Sequence, residues 1–303
     1  MRFELLLVKL KINWDTEFQF YMQIITLTSD TGLQDYYVAA MKGAILKLIP
    51  TANIIDISHS IKPFDVAEAA YQVQSCYKEF PNGTIHIIAV DSEPLLNTSN
   101  PSYPTIMKFQ GQYFITNDNG FIGTFLDENH PDELYRFDDI HNDESLLKFP
   151  TKNCFIPLAA KIAQNIPIPS FAKPTESYKR AFKQKPIIDQ YSIQGTVIHI
   201  DSFGNLITNI TKNDFDRFGE NTPFTIYYVD KDYFIDRISK TYNNVPMGER
   251  VAIFNSNDLL EIALNRGANR GTGGASKLFG VRLGEIIRVE FTPAGSHRDF
   301  QFM

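Results

Sequence analysis

Three aspartates stand at or near the ends of apolar, β-branched runs in the first third of the sequence. Asp30 follows the run 23–28 (QIITLT), Asp56 lies late in 53–58 (NIIDIS) and Asp91 ends 84–91 (TIHIIAVD). Open parallel sheets bind ligands beyond the carboxyl ends of their strands, so carboxylates there are the first candidates for a ligand site. Asp30 begins a polar turn, Asp-Thr-Gly-Leu-Gln-Asp, that leads into a helical pattern. Two roles compete for it: a helix N-cap worth about 1 kcal/mol, or an acceptor for a ligand's hydroxyls. Asp91 closes an apolar strand, where a carboxylate needs hydrogen-bond partners from the protein or from a ligand.

A second set of polar residues lies far downstream. Asp201-Ser202-Phe203-Gly204-Asn205 joins two β-like runs and reads first as a hairpin turn, since these are turn-forming residues. Phe254-Asn255-Ser256, followed by Leu260-Glu261-Ile262-Ala263, reads as a loop between strands. Asn265-Arg266-Gly267 and the stretch Gly271-Thr272-Gly273-Gly274 suggest a flexible lip; the strand–GxxxxGK[ST]–helix order of a phosphate loop is missing. The histidines show no metal-ligand spacing, and no GxSxG or cysteine-centred nucleophile motif occurs. His59, His86 and His199 lie in or beside apolar runs and read as satisfied structural residues, whereas His130 and His141 lie in a polar, acidic loop. No metal site is expected.

The elements that must carry these residues follow from periodicity. Runs at 23–28, 53–58 and 84–91 read as strands, separated by helical patterns with Tyr37, Met41, Ala44, Ile45 and Leu48 on one face and Val66, Ala69, Ala70, Val73 and Tyr77 on another. Pro50 ends the first helix. Strand–helix–strand–helix–strand with nearly continuous apolar strands predicts a mainly parallel sheet covered on both faces. Two further strands are expected at 104–109 and 112–116 around Gly111, and a helix at about 155–164. Proline, lysine and serine then predict an extended linker. Strands at 193–201, 205–210, 223–229, 251–255, 259–264 and 285–291 predict a smaller all-β barrel or sandwich. The expected organisation is an N-terminal extension at 1–21, an α/β domain at 22–165, a linker at 166–190 and a β-barrel-like domain at 191–303. The folded unit is expected to begin near Met22, because the recognisable pattern begins there, with 1–21 either an extension or a stretch ahead of a later start.

Composition narrows the function classes. The 303 residues, 43% hydrophobic and 21% charged, suit a folded globular chain. A net charge of −6 without a long basic run argues against nucleic acid as a partner. The apolar run from Leu5 to Val8 is broken at Lys9 and Lys11, too short for a signal peptide, and no run reaches the ~20 residues of a membrane span. The distant cysteines Cys76 and Cys154 predict neither a zinc site nor a disulfide framework and fit a cytoplasmic location.

Six blocks then carry a resemblance. TLTSDTGLQDYYVAAMKG, NIIDISHSIKPFDVAEAAY, FPNGTIHIIAVD, GQYFITNDNG, IDSFGNLITNI and FNSNDLLEIALNRG, in that order, resemble the SAM hydroxide adenosyltransferases, relatives of the bacterial fluorinase and chlorinase. The resemblance spans most of 22–291. It implies an α/β domain followed by a β-barrel, a homotrimer, and S-adenosylmethionine (SAM) held in an inter-domain or inter-subunit cleft as the substrate, with no cofactor. Family hydrolases attack the ribose C5′ with water or hydroxide, releasing adenosine and methionine. By resemblance, Asp30 holds the ribose hydroxyls and Asp91, the catalytic candidate, sits beside the reacting centre. Asp201, Asn205, Ser256 and Glu261 contact polar groups of the ligand.

The sequence also departs from the family. Hydrolytic members carry an Asp-Arg-His set. The stretch after Asp91 reads Ser-Glu-Pro-Leu-Leu-Asn-Thr-Ser-Asn-Pro and contains no arginine, and Pro150 occupies the histidine position in Phe149-Pro150-Thr151-Lys152-Asn153. Three readings follow: a SAM hydrolase in which Lys152 or Glu93 replaces the lost groups, a non-catalytic SAM or adenosine-binding protein, and, with least support, a halogenase.

Overall fold

The computed structural model describes residues 22–180, 184–219, 222–229, 233–267 and 273–292, and nothing of the side chains at 141 and 142. The expected extension 1–21 lies outside the described residues. The chain forms two compact units. The first contains residues up to Phe64, Glu79–Asn119 and His130–Ser177; the second contains Asp65–Lys78, Gly120–Asn129 and the chain from Tyr178 on.

The first unit is built on a seven-stranded mixed sheet. β1 (Ile24–Ser29), β2 (Asn53–Ser58), β3 (Ile85–Ala89) and β5 (Gln112–Asn117) run parallel, and β4 (Pro104–Phe109), β6 (Glu133–Arg136) and β7 (Lys173–Pro174) extend the sheet antiparallel, in the order β2-β1-β3-β5-β4-β6-β7. β4 and β5 are joined at Gln110-Gly111, both with positive φ, the geometry of a tight hairpin that glycine accepts without strain. Alternate residues of the central strands enter one core: Ile25 and Leu27 of β1 with Ile85, Ile87 and Ala89 of β3. Helix α1 (Tyr37–Leu48) contributes Val38, Met41 and Ile45 at helical spacing, and α4 (Ile156–Ala163) contributes Ile156, Leu158, Ala159 and Ile162. Ile49 caps α1 by donating its N–H to the Ile45 carbonyl, and Pro50 follows at once.

The opposite face of β1 and β3 buries polar residues beside apolar ones. Thr26 and His86 are both 0% exposed. Gln112 donates to the Phe80 carbonyl, which aims its own carbonyl oxygen at His86 Nε2, 2.6 Å away. His86 Nε2 therefore carries the proton, and Nδ1 accepts from Thr26 Oγ1 at 2.7 Å. The ring stacks on Phe114 with centroids 4.6 Å apart. His86 is thus the satisfied structural residue its strand position implied.

Within the proline-rich stretch 166–186, Ile168–Ser170 forms a 3-10 turn, Ile168 and Ala172 enter the core, and Lys173–Pro174 pairs with β6. The helix expected at 155–164 is preceded by a π-helical turn, Thr151–Phe155.

The second unit is an all-antiparallel sheet curled into a nearly closed barrel. Its strands are β8 (Ile187–Ile188), β9 (Ser192–Ile200), β10 (Leu206–Thr211), β11 (Phe224–Tyr227), β12 (Phe234–Ile235), β13 (Arg250–Phe254), β14 (Leu259–Leu264) and β15 (Ile286–Phe291). The order is β12-β11-β15-β9-β10-β14-β13, with β8 added beside β9. The Arg250 guanidinium over the Phe234 ring draws the two end strands together. Ile193, Val197, Leu206, Ile226, Leu260, Ile262, Ile287 and Val289 fill the interior.

Two helices from earlier in the chain belong to this unit: α2 (Val66–Gln74), capped by Asp65 accepting from the Glu68 N–H, and α3 (Phe121–Leu126). They meet where Tyr77 packs edge-on to Phe125. Short helices α5 (Lys212–Asp216) and α6 (Gly274–Phe279) complete it.

Candidate functional site

Asp30 stands directly after β1 and does not cap α1. The N-cap of α1 is Tyr36, with no side-chain bond. The carboxylate instead ties two loops together: Asp30 Oδ2 accepts the backbone N–H of Phe64 at 3.0 Å and that of Asp91 at 3.3 Å. Both residues have left-handed backbones, φ +65° for Phe64 and +46° for Asp91. Non-glycine residues pay for that conformation, and such strain concentrates at functional sites. A single carboxylate oxygen therefore holds two strained residues, while Oδ1 meets no hydrogen-bond donor among the described residues. Asn119 fixes Asp91 from the other side, donating through Nδ2 to the carbonyls of Val90 and Asp91 at 3.0 and 2.9 Å.

Below Asp30 lies a hydroxyl–imidazole–carboxylate chain, buried at Ser29 and His59 and exposed at Asp56. Ser29 Oγ is 2.6 Å from His59 Nδ1 and 3.0 Å from Thr31 Oγ1. His59 Nε2 lies 3.1 Å from Asp56 Oδ1, at an angle too oblique for a hydrogen bond but close enough to favour the carboxylate. Asp56 also pairs with Lys42 at 2.5 Å. Burial raises the Asp56 carboxyl, and Lys42 and His59 outweigh it, so its pKa lies below the usual value. The order Ser–His–Asp resembles a nucleophile triad, but Ser29 is 0% exposed. Its work is to fix the backbone on either side of Asp30, aided by the Gly32 N–H bonded to the His59 carbonyl.

Beyond Asp91, Thr151 Oγ1 donates to Ser92 Oγ at 3.2 Å. Thr151 is 1% exposed and opens the π-helical turn. The Lys152 ammonium lies over the Phe149 ring, 5.8 Å from its centroid.

The downstream candidates gather in the second unit around a cavity of ≈ 520 Å³ whose lining includes Tyr71, His199, Asp201, Tyr242, Ser256 and Glu261. Asp201 holds the β9–β10 turn: Oδ1 accepts the N–H groups of Phe203 and Asn205 at 2.9 Å each, and Oδ2 accepts Asn205 Nδ2 at 3.0 Å. Asn205 is buried behind it and is not part of the lining. Asn255 shapes the next loop, its Oδ1 accepting from Asn257 and Leu259, and this leaves Ser256 exposed at the rim. Glu261 comes from β14 and is 4% exposed. It accepts from Tyr242 at 2.6 Å and from Asn255 at 3.3 Å. Burial pushes its carboxyl above the usual carboxylate range, and Asp201 adds to that, against the two hydrogen bonds. Burial also raises the Tyr242 phenol, with Glu261 adding to the effect. Among the described residues no lysine or arginine lines this cavity. Its two carboxylates suit a ligand that brings positive charge or N–H donors.

Sequence reasoning missed several contributors. Tyr71 and His199 face each other with ring centroids 4.8 Å apart, and both line the cavity. Tyr71 lies on α2 away from its buried face of Ala69, Ala70 and Val73, and Tyr242 lies in a turn, and neither position carries a motif. Gly273 and Gly274 of the expected lip pack backbone to backbone on the Phe203-Gly204 turn, and Ser276 donates its N–H to the Gly204 carbonyl. Gly271 and Thr272 lie outside the described residues. Among the described residues no group of histidines, cysteines and carboxylates is arranged to hold a metal ion, and no helix is long and apolar enough to cross a membrane.

Residues 25–172 match the SAM hydroxide adenosyltransferase N-terminal domain and 195–288 the corresponding C-terminal domain. A (R)-S-adenosyl-L-methionine hydrolase of Methanocaldococcus jannaschii is 31% identical over 64% of this chain and 69% of its own length. That of Thermus thermophilus is 26% identical over 86% of this chain and 100% of its own. A fluorinase of Actinoplanes sp. is 27% identical over 65% of this chain and 74% of its own. The crystal structure of an uncharacterized conserved protein from Thermotoga maritima superposes with a TM-score of 0.75 at 26% identity, covering 88% of this chain and 99% of that one. With both of its halves matched in order, this chain belongs to the SAM hydroxide adenosyltransferase family.

Proposed function

We propose that this protein hydrolyses S-adenosylmethionine to adenosine and L-methionine. The observation that carries the reading is the Asp30–Asp91 pair: two carboxylates beyond the carboxyl ends of parallel strands, one positioned by the other in a strained backbone. In this reading Asp30 Oδ1 accepts from the ribose hydroxyls. Asp91 accepts a proton from the attacking water. The water oxygen bonds to C5′, the C5′–S bond breaks with its electrons going to sulfur, and methionine leaves as a neutral thioether. A sulfonium needs no protonation to leave, so the protein's task is to exclude bulk water and align the nucleophile opposite sulfur. No cofactor is required. The acidic cavity of the second unit, with Asp201 supported by Asn205, Glu261 and the Ser256 rim, suits a ligand's ammonium or N–H donors.

A homotrimer with the ligand at a subunit interface and a cytoplasmic location belong to the same proposal. Light scattering and cell fractionation test them. Hydrolysis is tested by incubating both sulfonium epimers of SAM with wild type, Asp91→Asn and no protein, and separating adenosine and methionine by chromatography. The relatives named for the R epimer motivate the two substrates. Consumption by wild type alone supports the reading. Wild type that binds SAM without consuming it is instead a binding protein, the outcome that Pro150 at the family's histidine position favours. Added chloride or fluoride tests for halogenated product.

A further inference from the structure

We propose that the hydroxyl pair Ser92–Thr151 orients the attacking water, in place of charged groups. The inference rests on the hydrolase reading above. Three separate features meet at this point. Asp91 has a left-handed backbone, φ +46°, which sets the direction in which Ser92 leaves it. The Thr151–Phe155 turn is π-helical, an irregularity that recurs at functional sites. The hydroxyls of Ser92 and Thr151, 59 positions apart in sequence, bridge the two irregular segments at 3.2 Å.

The direction of the bridge matters. Thr151 Oγ1 is the donor, so Ser92 Oγ spends one lone pair on it and keeps the second. Thr151 is 1% exposed, whereas Ser92 is half-buried and is the residue that follows Asp91. A water placed there gives one hydrogen to Asp91 and the other to Ser92 Oγ, which leaves an oxygen lone pair to attack C5′. One water proton passes to Asp91 as the C–O bond forms, the other stays on the product hydroxyl, and sulfur takes the C–S electrons. Ser92 thus holds the water and Thr151 is a positioning residue acting through Ser92. Glu93 is exposed and the Lys152 ammonium rests on Phe149, so the hydroxyl pair is the better placed substitute for the absent arginine and histidine.

The test measures single-turnover SAM hydrolysis and SAM affinity for wild type, Ser92→Ala, Thr151→Val, Thr151→Ser, the Ser92→Ala/Thr151→Val double variant and Asp91→Asn. Ser92→Ala and Thr151→Val should each slow the chemical step about 10- to 100-fold with affinity within threefold, on the scale at which misplacing a reactant costs rate. Thr151→Ser should keep the wild-type rate, and the double variant should be no slower than Ser92→Ala. The rate should show no histidine-like ionisation between pH 6 and 8, since neither hydroxyl titrates there. Thr151→Val and Ser92→Ala that turn over like wild type overturn the role of the pair and leave the hydrolase reading standing. Wild type that consumes no SAM overturns both. If buried Thr151→Val does not fold, the partly exposed Ser92→Ala decides alone.

Discussion

Asp30 separates a scaffold role from a ligand role, because the two use different oxygens. Asp30 Oδ2 carries the N–H groups of Phe64 and Asp91, at 3.0 and 3.3 Å. Hydrogen bonds to a charged group contribute about 1.5–3 kcal/mol when well made, and this residue is half-buried with one long bond. Losing both should therefore cost about 2 kcal/mol. In Asp30→Ala that cost appears as a fall in melting temperature of about 4–8 °C. In Asp30→Asn the side-chain carbonyl can still accept both N–H groups, so stability should fall by less than about 1 kcal/mol. Binding behaves differently. The amide presents an NH₂ where the carboxylate presented an acceptor, so a nucleoside loses the charge-assisted bonds to its hydroxyls. Calorimetry with adenosine should show at least about tenfold weaker binding for both variants, or 1.4 kcal/mol. Asn with unchanged affinity and stability, alongside a destabilised Ala, would refute the ligand role and leave Asp30 a loop fastener.

The other predictions address the framework around the sites. His86 is 0% exposed and burial pushes its pKa from 6.5 down to about 4, against the hydrogen bond to Gln112. The unfolded chain then binds the proton first, so this contribution is complete above pH 6.5 and is lost as the pH falls toward 4, by about 3 kcal/mol in all. Denaturant titrations of wild type and His86→Gln across that range should differ in slope, and equal slopes would contradict it. Asn119→Ala should cost about 1–2 kcal/mol and slow SAM hydrolysis at least tenfold at little-changed affinity, because it frees the Asp91 carbonyl; an unaltered rate rules out a positioning role. Gly204→Ala should destabilise by about 2–4 kcal/mol, because φ is +77° and the new Cβ would lie 2.1 Å from the Gly273 carbonyl oxygen. Gly248→Ala, at φ +86° with nothing within 4 Å, should cost only about 1 kcal/mol, and equal melting temperatures would contradict the backbone contact.

Sequence alone determined the element types and most of their positions. Strands at Asn53–Ser58, Pro104–Phe109 and Leu259–Leu264 and the helix Tyr37–Leu48 declare themselves through local periodicity, and the order of elements sets a parallel α/β unit before an antiparallel barrel. The short strands Glu133–Arg136 and Lys173–Pro174 were not readable, since two to four residues carry no period; the first exists because β4 offers an edge and the second because the first does. The site divides in the same way. Asp30 and Asp91 could be singled out because a carboxylate at the end of an apolar strand is locally conspicuous. That one Asp30 oxygen holds the Asp91 N–H, that Thr151 reaches Ser92, and that Tyr242 meets Glu261 were decided by the tertiary structure. Hydrogen bonds between residues 19 to 61 positions apart leave no mark on either local pattern. They arise only when packing of the apolar faces has fixed where each loop must end.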